Sequence, residues 1–470
     1  MFCRCLNAPF GTEPNTHVCP VCLGLPGALP IPNLEAVRLT ILMGQAFGSQ
    51  ISRLSKWDRK HYFYPDLPKG YQISQLDKPF CVGGQVELLD ATGAVESVVR
   101  FERIHLEEDA GKLLHSSKAG YSQVDLNRAG VPLIEMVSKP DITSASQAKQ
   151  LLLELQLLAR RLEISDADME KGQMRCDVNV SILLTPDQEH GGDGQQEINT
   201  PVTEIKNVNS TKAVERSINA EAARQYAEWM AGGPIRTRKN KLTAGWDETK
   251  EQLNIQRSKE NANDYRYMPE PDLPPVKPFE HPALNPDQLK ASLPELPNAL
   301  RRRLLKIGVG SREIEALLLD LPRLRYADTV LKLVEPEKAK TVFNWLLNAP
   351  ASLGLEPATL IQLISLTEAG TVSFSALKPA LPELITLLES GQAVEPALKQ
   401  LGLVTVHDSK VVELSVSQVL AEHTSVVEEY RAGNSKLLGF LVGQVMKLSG
   451  GNANPKMVNQ IIRQEAARLK

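Results

Sequence analysis

The alternation of apolar and polar residues differs between the two halves of this chain. Before about residue 290, apolar residues alternate with polar ones in short stretches bounded by Gly, Pro, Asn and Asp, which predicts strands such as 85–89 and 98–104. Three longer segments, 33–48, 144–162 and 211–232, carry apolar residues at helical spacing instead. Strands and helices in this order predict an N-terminal mixed α/β domain.

A proline-rich passage, residues 269–297, follows this part of the chain. Proline fixes φ and lacks a backbone donor, so we predict an extended connector there. Beyond it nearly every segment has a helical period, and the last helix is expected to have Asn454 as its N-cap and Pro455 in its first turn. The second half is therefore predicted to be all-helical, and the fold class of the whole chain to be α+β.

Composition places the chain among ordinary globular proteins. Of its 470 residues, 42% are hydrophobic and 23% are charged, which excludes collagen-like, disordered and disulfide-scaffold chains. The best apolar run, residues 437–446, is interrupted by glycines and a glutamine, whereas a membrane-spanning helix needs ~20 apolar residues. No basic and apolar leader opens the chain, so we expect a cytoplasmic location (or its organellar equivalent) and no membrane partner.

The charge is unevenly distributed. The chain carries a net charge of −3, yet residues 431–470 contain seven lysines and arginines against one acid, Glu465. A basic tail on an acidic body often marks a nucleic-acid contact. A solvated basic helix has the same composition, so both interpretations stay open on charge alone.

Four of the six cysteines lie in two pairs near the start of the chain, Cys3-x-Cys5 and Cys19-x-x-Cys22. Two such pairs can place four thiolates tetrahedrally around zinc. In a cytosolic chain this interpretation is favoured over disulfides, and four reduced thiols are the alternative. Because four protein ligands leave no open position, we predict a structural zinc.

Aromatic residues are concentrated in residues 57–71, beside lysine, arginine and histidine. Aromatic faces can stack a nucleobase, and Arg59 or Lys60 can hold phosphate. A local aromatic core beneath a loop is the alternative, and composition does not separate the two.

Carboxylates form a second concentration. Glu107, Glu108 and Asp109 are adjacent, and Glu135 lies within an otherwise apolar, strand-like run. Clustered hard oxygen ligands suit Mg²⁺, especially when it is shared with phosphate. A buried glutamate without a partner is costly, so Glu135 is expected to face a metal, a cation or a cavity. A solvated turn is the alternative for the three adjacent acids.

A strand with one wholly polar face is predicted at residues 175–181. Period-two alternation puts Arg175, Asp177 and Asn179 opposite Cys176 and Val178, as in the wall of a site or in a surface strand. The chain has no P-loop, no dinucleotide-binding glycine motif, no zinc-protease motif and no nucleophile elbow. These familiar functions are therefore unsupported.

Longer strings are more specific than any of these short patterns. They are VCPVCLGLPGALP at 18–30, DRK at 58–60, YFYPDLPKGYQISQ at 62–75, EEDAGK at 107–112, RCDVN at 175–179, DYRYMPEPDL at 264–273, GFLVGQVMK at 439–447 and NANP at 452–455. Together they resemble the GatB family, the B subunits of the aspartyl/glutamyl-tRNA(Asn/Gln) amidotransferase. The resemblance covers essentially the whole chain.

The resemblance implies a reaction and partners. The substrate is tRNA misacylated with Glu or Asp, and ATP phosphorylates the side-chain carboxylate. Ammonia, released from glutamine by the glutaminase (amidase) partner, the A subunit, then displaces the phosphate to give Gln-tRNA or Asn-tRNA. A small C subunit completes the heterotrimer. The implied domains are a cradle-like catalytic domain with the zinc knuckle at 1–290, a helical domain at 291–400 and a basic helical tail that holds tRNA at 401–470.

The resemblance also implies roles for individual residues. Glu108, Glu135 and Asp177 are the expected catalytic residues, with Mg²⁺ on Glu108 and Glu135. A polar ammonia channel is expected at Lys69, Arg175 and Asp177, and ATP at Arg59 and Lys60. The cations expected to contact tRNA are Lys436, Lys447, Lys456 and Arg463.

One departure from the family concerns the start of the chain. Family members begin with a strand carrying Gly-Leu-Glu-x-His, whose Glu and His help to hold the metal, whereas this sequence begins at Met1-Phe2-Cys3. Two interpretations stay open: the start of the sequence is misassigned or trimmed, or the chain lacks two metal ligands and an innermost strand. A catalytically inactive, tRNA-binding scaffold subunit of the same assembly is therefore the alternative, and a stand-alone zinc and RNA-binding module is a second one.

Overall fold

The computed structural model describes residues 1–115, 120–184, 198–237, 240–259, 265–404, 409–431, 434, 437–448 and 455–468. The chain divides into two compact units, Met1–Arg302 and Arg303–Lys470. The first unit combines sheets with helices and the second consists almost wholly of helices, so the α+β prediction is confirmed. The proposed boundary near residue 290 falls inside the first unit, and a further boundary near residue 400 stays a prediction.

The described part of the first unit contains helices and the strands of several sheets. The helices are α1 (Leu34–Ala46), α2 (Ala145–Arg161), α3 (Thr211–Met230) and α4 (Pro286–Ala291). The strands are β1 (Gln50–Ile51), β2 (Asp58–His61), β3 (Tyr71–Ser74), β4 (Cys81–Val82), β5 (Gln85–Leu89), β6 (Val95–Glu108), β7 (Lys112–His115), β8 (Ser122–Asp125), β9 (Pro132–Ser138), β10 (Cys176–Val180), β11 (Leu183–Leu184), β12 (Ile198–Asn199), β13 (Thr203–Val208), β14 (Lys241–Asp247), β15 (Gln252–Lys259) and β16 (Met268–Pro269).

Three helices of this unit begin where the sequence predicts. Asn33, Ser144 and Ser210 are the N-caps of α1, α2 and α3, and each side chain accepts a hydrogen bond from a backbone N–H in the first turn. Such a cap satisfies one of the donors that a helix leaves unpaired at its start. The strand predicted at 85–89 is found as β5, whereas the one predicted at 98–104 extends further, to Val95–Glu108.

Strand β6 organises the first sheet, which has the strand order β1-β4-β6-β5 with β9 also paired to β6. The β6–β9 pair is antiparallel and places His105 opposite Glu135 and Glu107 opposite Leu133. Helix α1 packs against β6 and α2 against β5. Ile41, Phe101 and Ile104 are among the buried residues of this core.

A second sheet has the order β10-β13-β14-β15, with β13 and β14 parallel and the other pairs antiparallel. Helix α3 covers one face of it, where Ile205, Val214 and Trp246 are buried. A third, smaller sheet joins β2, β3 and β16. These sheets bring residues 58–61, 105–108, 135 and 268–270 into one region.

The proline-rich passage is not the extended connector that the sequence predicts. It contains two short 3₁₀ turns, Pro278–Glu280 and Pro282–Leu284, followed by α4. Leu273, Leu284 and Leu289 are buried in the core of the first unit. Proline is tolerated at the first position of a helix, because the missing N–H has no intrahelical partner there. The passage therefore belongs to the first unit.

From residue 297 onward the predicted helical character is confirmed. The helices are α5 (Pro297–Lys306), α6 (Ser311–Leu319), α7 (Leu321–Leu331), α8 (Ala339–Asn348), α9 (Pro357–Glu368), α10 (Phe374–Glu389), α11 (Val394–Gln400), α12 (Ser409–Glu422), α13 (Thr424–Arg431), α14 (Leu437–Leu448) and α15 (Pro455–Arg468). The predicted cap Asn454 lies outside the described residues. Among the helices that the structure describes, none is both long and apolar enough to cross a bilayer.

Candidate active site

Three side chains that can bind a metal converge where β6 pairs with β9. His105 and Glu107 are two residues apart on β6, and Glu135 on β9 lies opposite His105, so all three share one face of the pair. His105 Nε2 is 3.6 Å from Glu107 Oε2 and 3.9 Å from Glu135 Oε2. One ligand atom from each residue lies within 4.8 Å of the others.

The surroundings of this cluster favour the ionised form of the Glu107 carboxyl group. Ser74 Oγ donates a hydrogen bond to Glu107 Oε2 at 2.9 Å. Burial opposes ionisation of Glu107, but His105, the Lys60 ammonium and Ser74 outweigh it and lower the pKa of this carboxyl below its usual value. Burial and the negative charges of Glu107 and Glu135 raise the pKa of Tyr267 to about 12.

The cluster fits a divalent cation. Two carboxylates and an imidazole are ligands that such cations accept, and carboxylate oxygens are the preferred ligands of Mg²⁺. His105 is buried, and its Nδ1 has no hydrogen-bond partner among the described residues. Glu135 keeps part of its side chain exposed, so the cluster is open to a ligand from solvent.

The structure does not bring Glu108 and Glu135 together, although the sequence prediction puts one Mg²⁺ on both. Glu108 follows Glu107 in β6, so its side chain lies on the opposite face of the strand. There Glu108 Oε1 accepts hydrogen bonds from Lys69 Nζ and, at 2.8 Å, from the backbone N–H of Ile73. Glu135 instead has Glu107 and His105 as its neighbours.

Lys69, Arg175 and Asp177, the predicted channel residues, have three different partners. Lys69 pairs with Glu108, whereas Arg175 Nη2 donates to Asp109 Oδ1 at 2.6 Å. Burial raises the pKa of the Asp109 carboxyl despite the positive charge of Arg175. Asp177 lies on the second sheet, 3.8 Å from a lysine of β13. The partners of Lys69 and Arg175 are adjacent in sequence, whereas the partner of Asp177 is Lys206 of β13.

Arg59 and Lys60, both predicted to bind ATP, have different environments. The Arg59 guanidinium donates two hydrogen bonds to Glu270, at 2.7 and 2.9 Å, and a third to Asp272. Lys60 Nζ is 5.0 Å from the centre of the Tyr265 ring, and in the described part of the chain no carboxylate lies within ion-pair distance of it. Of these two cations, the Lys60 ammonium is the one available to a phosphate.

Loss of the Arg59 side chain is expected to destabilise the protein more than it impairs a phosphate contact. Glu270 is buried, so Arg59→Ala leaves a buried carboxylate uncompensated, which costs about 3 kcal/mol in the free energy of unfolding. Denaturant unfolding of Arg59→Ala and of the double variant Arg59→Ala/Glu270→Gln measures this. The double variant is expected to recover part of the loss, and equal stability of the two variants contradicts the assignment.

The four N-terminal cysteines form the second group of possible metal ligands. Cys22 Sγ is 3.5 Å from Cys3 Sγ, 3.6 Å from Cys19 Sγ and 3.8 Å from Cys5 Sγ. Burial acts to raise the pKa of the Cys19 thiol, but hydrogen bonds from backbone groups of Cys22 and Val21 and from neighbouring thiols lower it to about 7. Four partly buried thiols at this separation fit a tetrahedral zinc, and none of them is in a disulfide.

The aromatic residues of 57–71 divide between core and surface. Trp57 is fully buried, where Phe2 and Phe80 pack edge-on against it. Phe63 and Tyr64 are 79% and 61% exposed at the tip of the β2–β3 loop, where they help to line an open hollow of about 500 Å³. Neither the stacking interpretation nor the local-core interpretation accounts for the whole segment.

The cations predicted to contact tRNA can be located only in part. Lys447 and Arg463 are exposed on α14 and α15, and Arg463 Nε donates to Asn459 within its own helix. Lys436 lies outside the described residues, and so does the side chain of Lys456.

Comparison with known proteins identifies the family. Residues 1–281 match the family model described as the GatB/GatE catalytic domain, and residues 330–465 match the one described as the GatB domain. The chain belongs to the GatB/GatE family. The resemblance found in the sequence strings is thereby confirmed, and the cluster of His105, Glu107 and Glu135 lies within the matched catalytic domain.

Two similar proteins of this GatB/GatE family are named as B subunits of tRNA-dependent amidotransferases. The B subunit of the aspartyl/glutamyl-tRNA(Asn/Gln) amidotransferase of Moorella thermoacetica is 40% identical, over 98% of this chain and 95% of its own length. The chloroplastic/mitochondrial B subunit of the glutamyl-tRNA(Gln) amidotransferase of Physcomitrium patens is 42% identical, over 98% of this chain and 81% of its own length. As a member of the family, this chain is an amidotransferase subunit.

In this GatB/GatE catalytic domain, the structure groups Glu135 with Glu107 and with His105, which the sequence analysis does not name, whereas the predicted ligand Glu108 lies on the other face of the strand. The period of the strand was the signal that could have grouped these residues. Side chains alternate between the two faces of a strand, so residues 105 and 107 share a face, as do residues 175 and 177. What the sequence lacked was the register that puts Glu135 opposite His105.

Proposed function

We propose that this chain is the amidating subunit of a tRNA-dependent amidotransferase. It converts the side-chain carboxylate of Glu or Asp, carried on tRNA(Gln) or tRNA(Asn), into the amide. ATP phosphorylates the carboxylate, and ammonia then displaces the phosphate. The observation that carries the proposal is the convergence of His105, Glu107 and Glu135 within the catalytic domain of a family whose named relatives are amidotransferase subunits.

The chemistry explains why such a cluster is needed. A carboxylate is a poor acyl donor until one of its oxygens can leave as phosphate. His105, Glu107 and Glu135 would hold Mg²⁺, which supplies neutralisation of the charge on the transferred phosphoryl group. Ser74 keeps the Glu107 carboxylate in place through its hydrogen bond.

Lys60 is the cation that we place on the phosphate of ATP. Its ammonium rests on the ring of Tyr265, and its charge acts on Glu107. Phosphate oxygens offer a direct ion pair, which no described carboxylate makes with Lys60. Arg59, by contrast, holds β2 to the segment that follows β16 through Glu270 and is a structural residue in this proposal.

Ammonia delivery is assigned to the opposite face of β6. Lys69 and Glu108 form a largely buried pair one residue away from Glu107, and Arg175 with Asp109 forms the next pair along the chain. Polar groups that replace water can carry ammonia while keeping bulk solvent out. The nitrogen would come from glutamine, hydrolysed by the amidase partner in a heterotrimer that also contains a third, small subunit.

Structural zinc and tRNA complete the proposal. Zinc bound by Cys3, Cys5, Cys19 and Cys22 would stabilise the fold of the N-terminal segment. The exposed cations of the C-terminal helices would contact tRNA phosphates, and the reaction would take place in the cytoplasm or an organelle. These assignments rest on the thiol separations and on the excess of lysine and arginine in residues 431–470.

Neutralising the C-terminal cations is expected to weaken tRNA binding and to flatten its salt dependence. The variant Lys447→Ala/Arg463→Ala removes two exposed charges, so the slope of log K against log salt is expected to fall by about 1.5. Filter binding at a series of salt concentrations measures the slope. The matched control is Lys338→Ala, a cation already paired with Glu368. An unchanged slope in the double variant would remove Lys447 and Arg463 from the tRNA interface.

The decisive experiment is ATP-dependent amidation of Glu-tRNA(Gln) by this chain assembled with its partner subunits. Ammonium chloride serves as the nitrogen donor, so the amidase step is bypassed. Formation of Gln-tRNA that requires both ATP and Mg²⁺ supports the proposal. Absence of product, with tRNA binding retained, would overturn it and leave a subunit that only binds tRNA.

A further inference from the structure

A second polar surface lies in the same unit as the candidate active site and has no role in the proposed function above. It is the face of the β10-β13-β14-β15 sheet that α3 does not cover. The register places Asn179 beside Glu204, Glu204 beside Thr243 and Lys206 beside Gly245, so these residues share that face. Asp177, two residues before Asn179, belongs to the same face. We call the group of Asp177, Glu204, Lys206 and Thr243 the polar-face cluster.

The two acids of the polar-face cluster differ in how fully they are paired. Glu204 is 11% exposed and has two lysines, Lys206 and Lys241, each 3.2 Å from one of its oxygens. Asp177 is 60% exposed, and its contact with Lys206 is 3.8 Å long. Glu204 is therefore occupied in holding the lysines. Asp177 is the carboxylate that a positively charged ligand can reach.

A buried hydroxyl group without a hydrogen-bond partner distinguishes this surface from that of an ordinary solvated strand. Thr243 is only 4% exposed, and its Oγ1 has no hydrogen-bond partner among the described residues. Buried polar atoms are almost always paired, so an unpaired one on a polar face points to a ligand or a water that is bound there. Asn207, next to Lys206, has a φ of 63° within β13, a left-handed conformation that side chains rarely adopt in a strand.

Two tyrosines connect the polar-face cluster with the cluster of His105, Glu107 and Glu135. Lys206 and Tyr265 interact electrostatically, and Tyr265 packs against Tyr267 with the ring centres 6.2 Å apart. The negative charges of Glu107 and Glu135 help to raise the pKa of Tyr267. The same pair of tyrosines therefore interacts with both clusters, and we take it as the link between them.

The mixture of charges selects the chemistry of that ligand. Asp177 and Glu204 are balanced by Lys206 and Lys241, so this face has no excess positive charge to attract a nucleotide phosphate or an RNA backbone. A group with an ammonium beside polar oxygens matches this face: a carboxylate for the ammonium, and a lysine and a hydroxyl for the oxygens. The aminoacyl ester of a charged tRNA has this composition, with an α-ammonium next to an ester carbonyl.

We propose that Asp177 binds the α-ammonium of the aminoacyl group on the tRNA, with Lys206 and Thr243 beside it, while the side-chain carboxylate extends toward His105 and Glu107. This inference rests on the proposed function and deepens it, because it states how the subunit distinguishes a charged tRNA from an uncharged one. It also gives Asp177 a role in substrate binding in place of one in ammonia transfer.

The test compares Glu-tRNA with N-acetyl-Glu-tRNA, which lacks the α-ammonium charge. Amidation is measured in the assembled enzyme with ammonium chloride as donor, so a role of Asp177 in ammonia transfer cannot contribute. For the wild-type chain, acetylation is expected to lower kcat/KM about tenfold, the size of one charge-assisted hydrogen bond. Asp177→Asn is expected to raise KM for Glu-tRNA about tenfold with little change in kcat, and to make the enzyme indifferent to acetylation.

Controls separate this inference from the proposed function. Glu215 lies on α3, which packs against the other face of the sheet, and it pairs with Lys149. The control variant Glu215→Gln is therefore expected to keep the preference for the substrate with a free α-ammonium. Binding of uncharged tRNA is expected to be the same in the wild-type chain and both variants. If the wild-type chain amidates neither substrate, the proposed function fails. If it amidates both equally well, or if Asp177→Asn keeps the preference of the wild-type chain, the aminoacyl-binding inference is overturned and the proposed function stands.

Discussion

Replacing Glu107 with glutamine is expected to lower the ammonium-dependent amidation rate by roughly a hundredfold to a thousandfold, the loss typical of removing one group that stabilises charge in the transition state. Glutamine keeps the size of the side chain but removes a charge from the cluster with His105 and Glu135. Affinity for tRNA is expected to be unchanged. Single-turnover amidation with saturating Glu-tRNA and a titration of Mg²⁺ measures the effect, and the variant is expected to require more Mg²⁺.

The neighbouring residue provides the matched control. Glu108→Gln alters a carboxylate on the opposite face of the same strand, where it pairs with Lys69. It is expected to lower the rate with glutamine as nitrogen donor and to leave most of the rate with ammonium chloride. A reversed pattern, in which Glu108→Gln abolishes both reactions and Glu107→Gln neither, would restore the ligand set predicted from the sequence. Thermal unfolding of both variants excludes loss of folding as the cause.

Loss of the four-cysteine site is expected to have the largest effect on stability. We expect the purified chain to contain one zinc, and Cys22→Ser to contain none. Because zinc binding to four thiolates contributes on the order of 10 kcal/mol in small zinc domains, removal is expected to unfold the N-terminal segment and to lower the melting temperature clearly. Metal analysis, together with limited proteolysis of residues 1–30, measures both effects.

Cys176→Ala is the control for this prediction. Cys176 lies on β10, away from the four-thiol group, so this variant is expected to keep one zinc and the wild-type proteolysis pattern. A wild-type chain without zinc, with four thiols that react freely with a thiol reagent, would refute the zinc assignment and leave reduced cysteines.

Local sequence signals predicted the helices well because each signal acts within a few residues. Asn33, Ser144 and Ser210 are caps whose side chains bond to backbone groups of the following turn, and all three helices begin where these residues stand. The same locality made the prolines of 269–297 misleading. A proline disfavours the interior of a helix, but whether the passage is an extended linker depends on Leu284, which packs in a core made by distant residues.

The candidate site shows the same division more sharply. The sequence alone determined the family, the four-cysteine group, the carboxylate-rich end of β6 and the basic C-terminal helices, since each is visible in strings or spacings of neighbouring residues. It also selected Glu135 as a glutamate that needs a partner.

Only the tertiary structure decided which residues are the neighbours of Glu135. The β6–β9 register puts Glu135 opposite His105 and leaves Glu108 to Lys69. In the same way, the structure pairs Arg59 with the buried Glu270, a contact that the position of Arg59 in the sequence does not reveal. Adjacent residues of a strand face opposite ways, and strand pairing joins positions far apart in sequence. The assignment of charged side chains to partners is therefore a property of the sheet, which the order of neighbours along the chain does not contain.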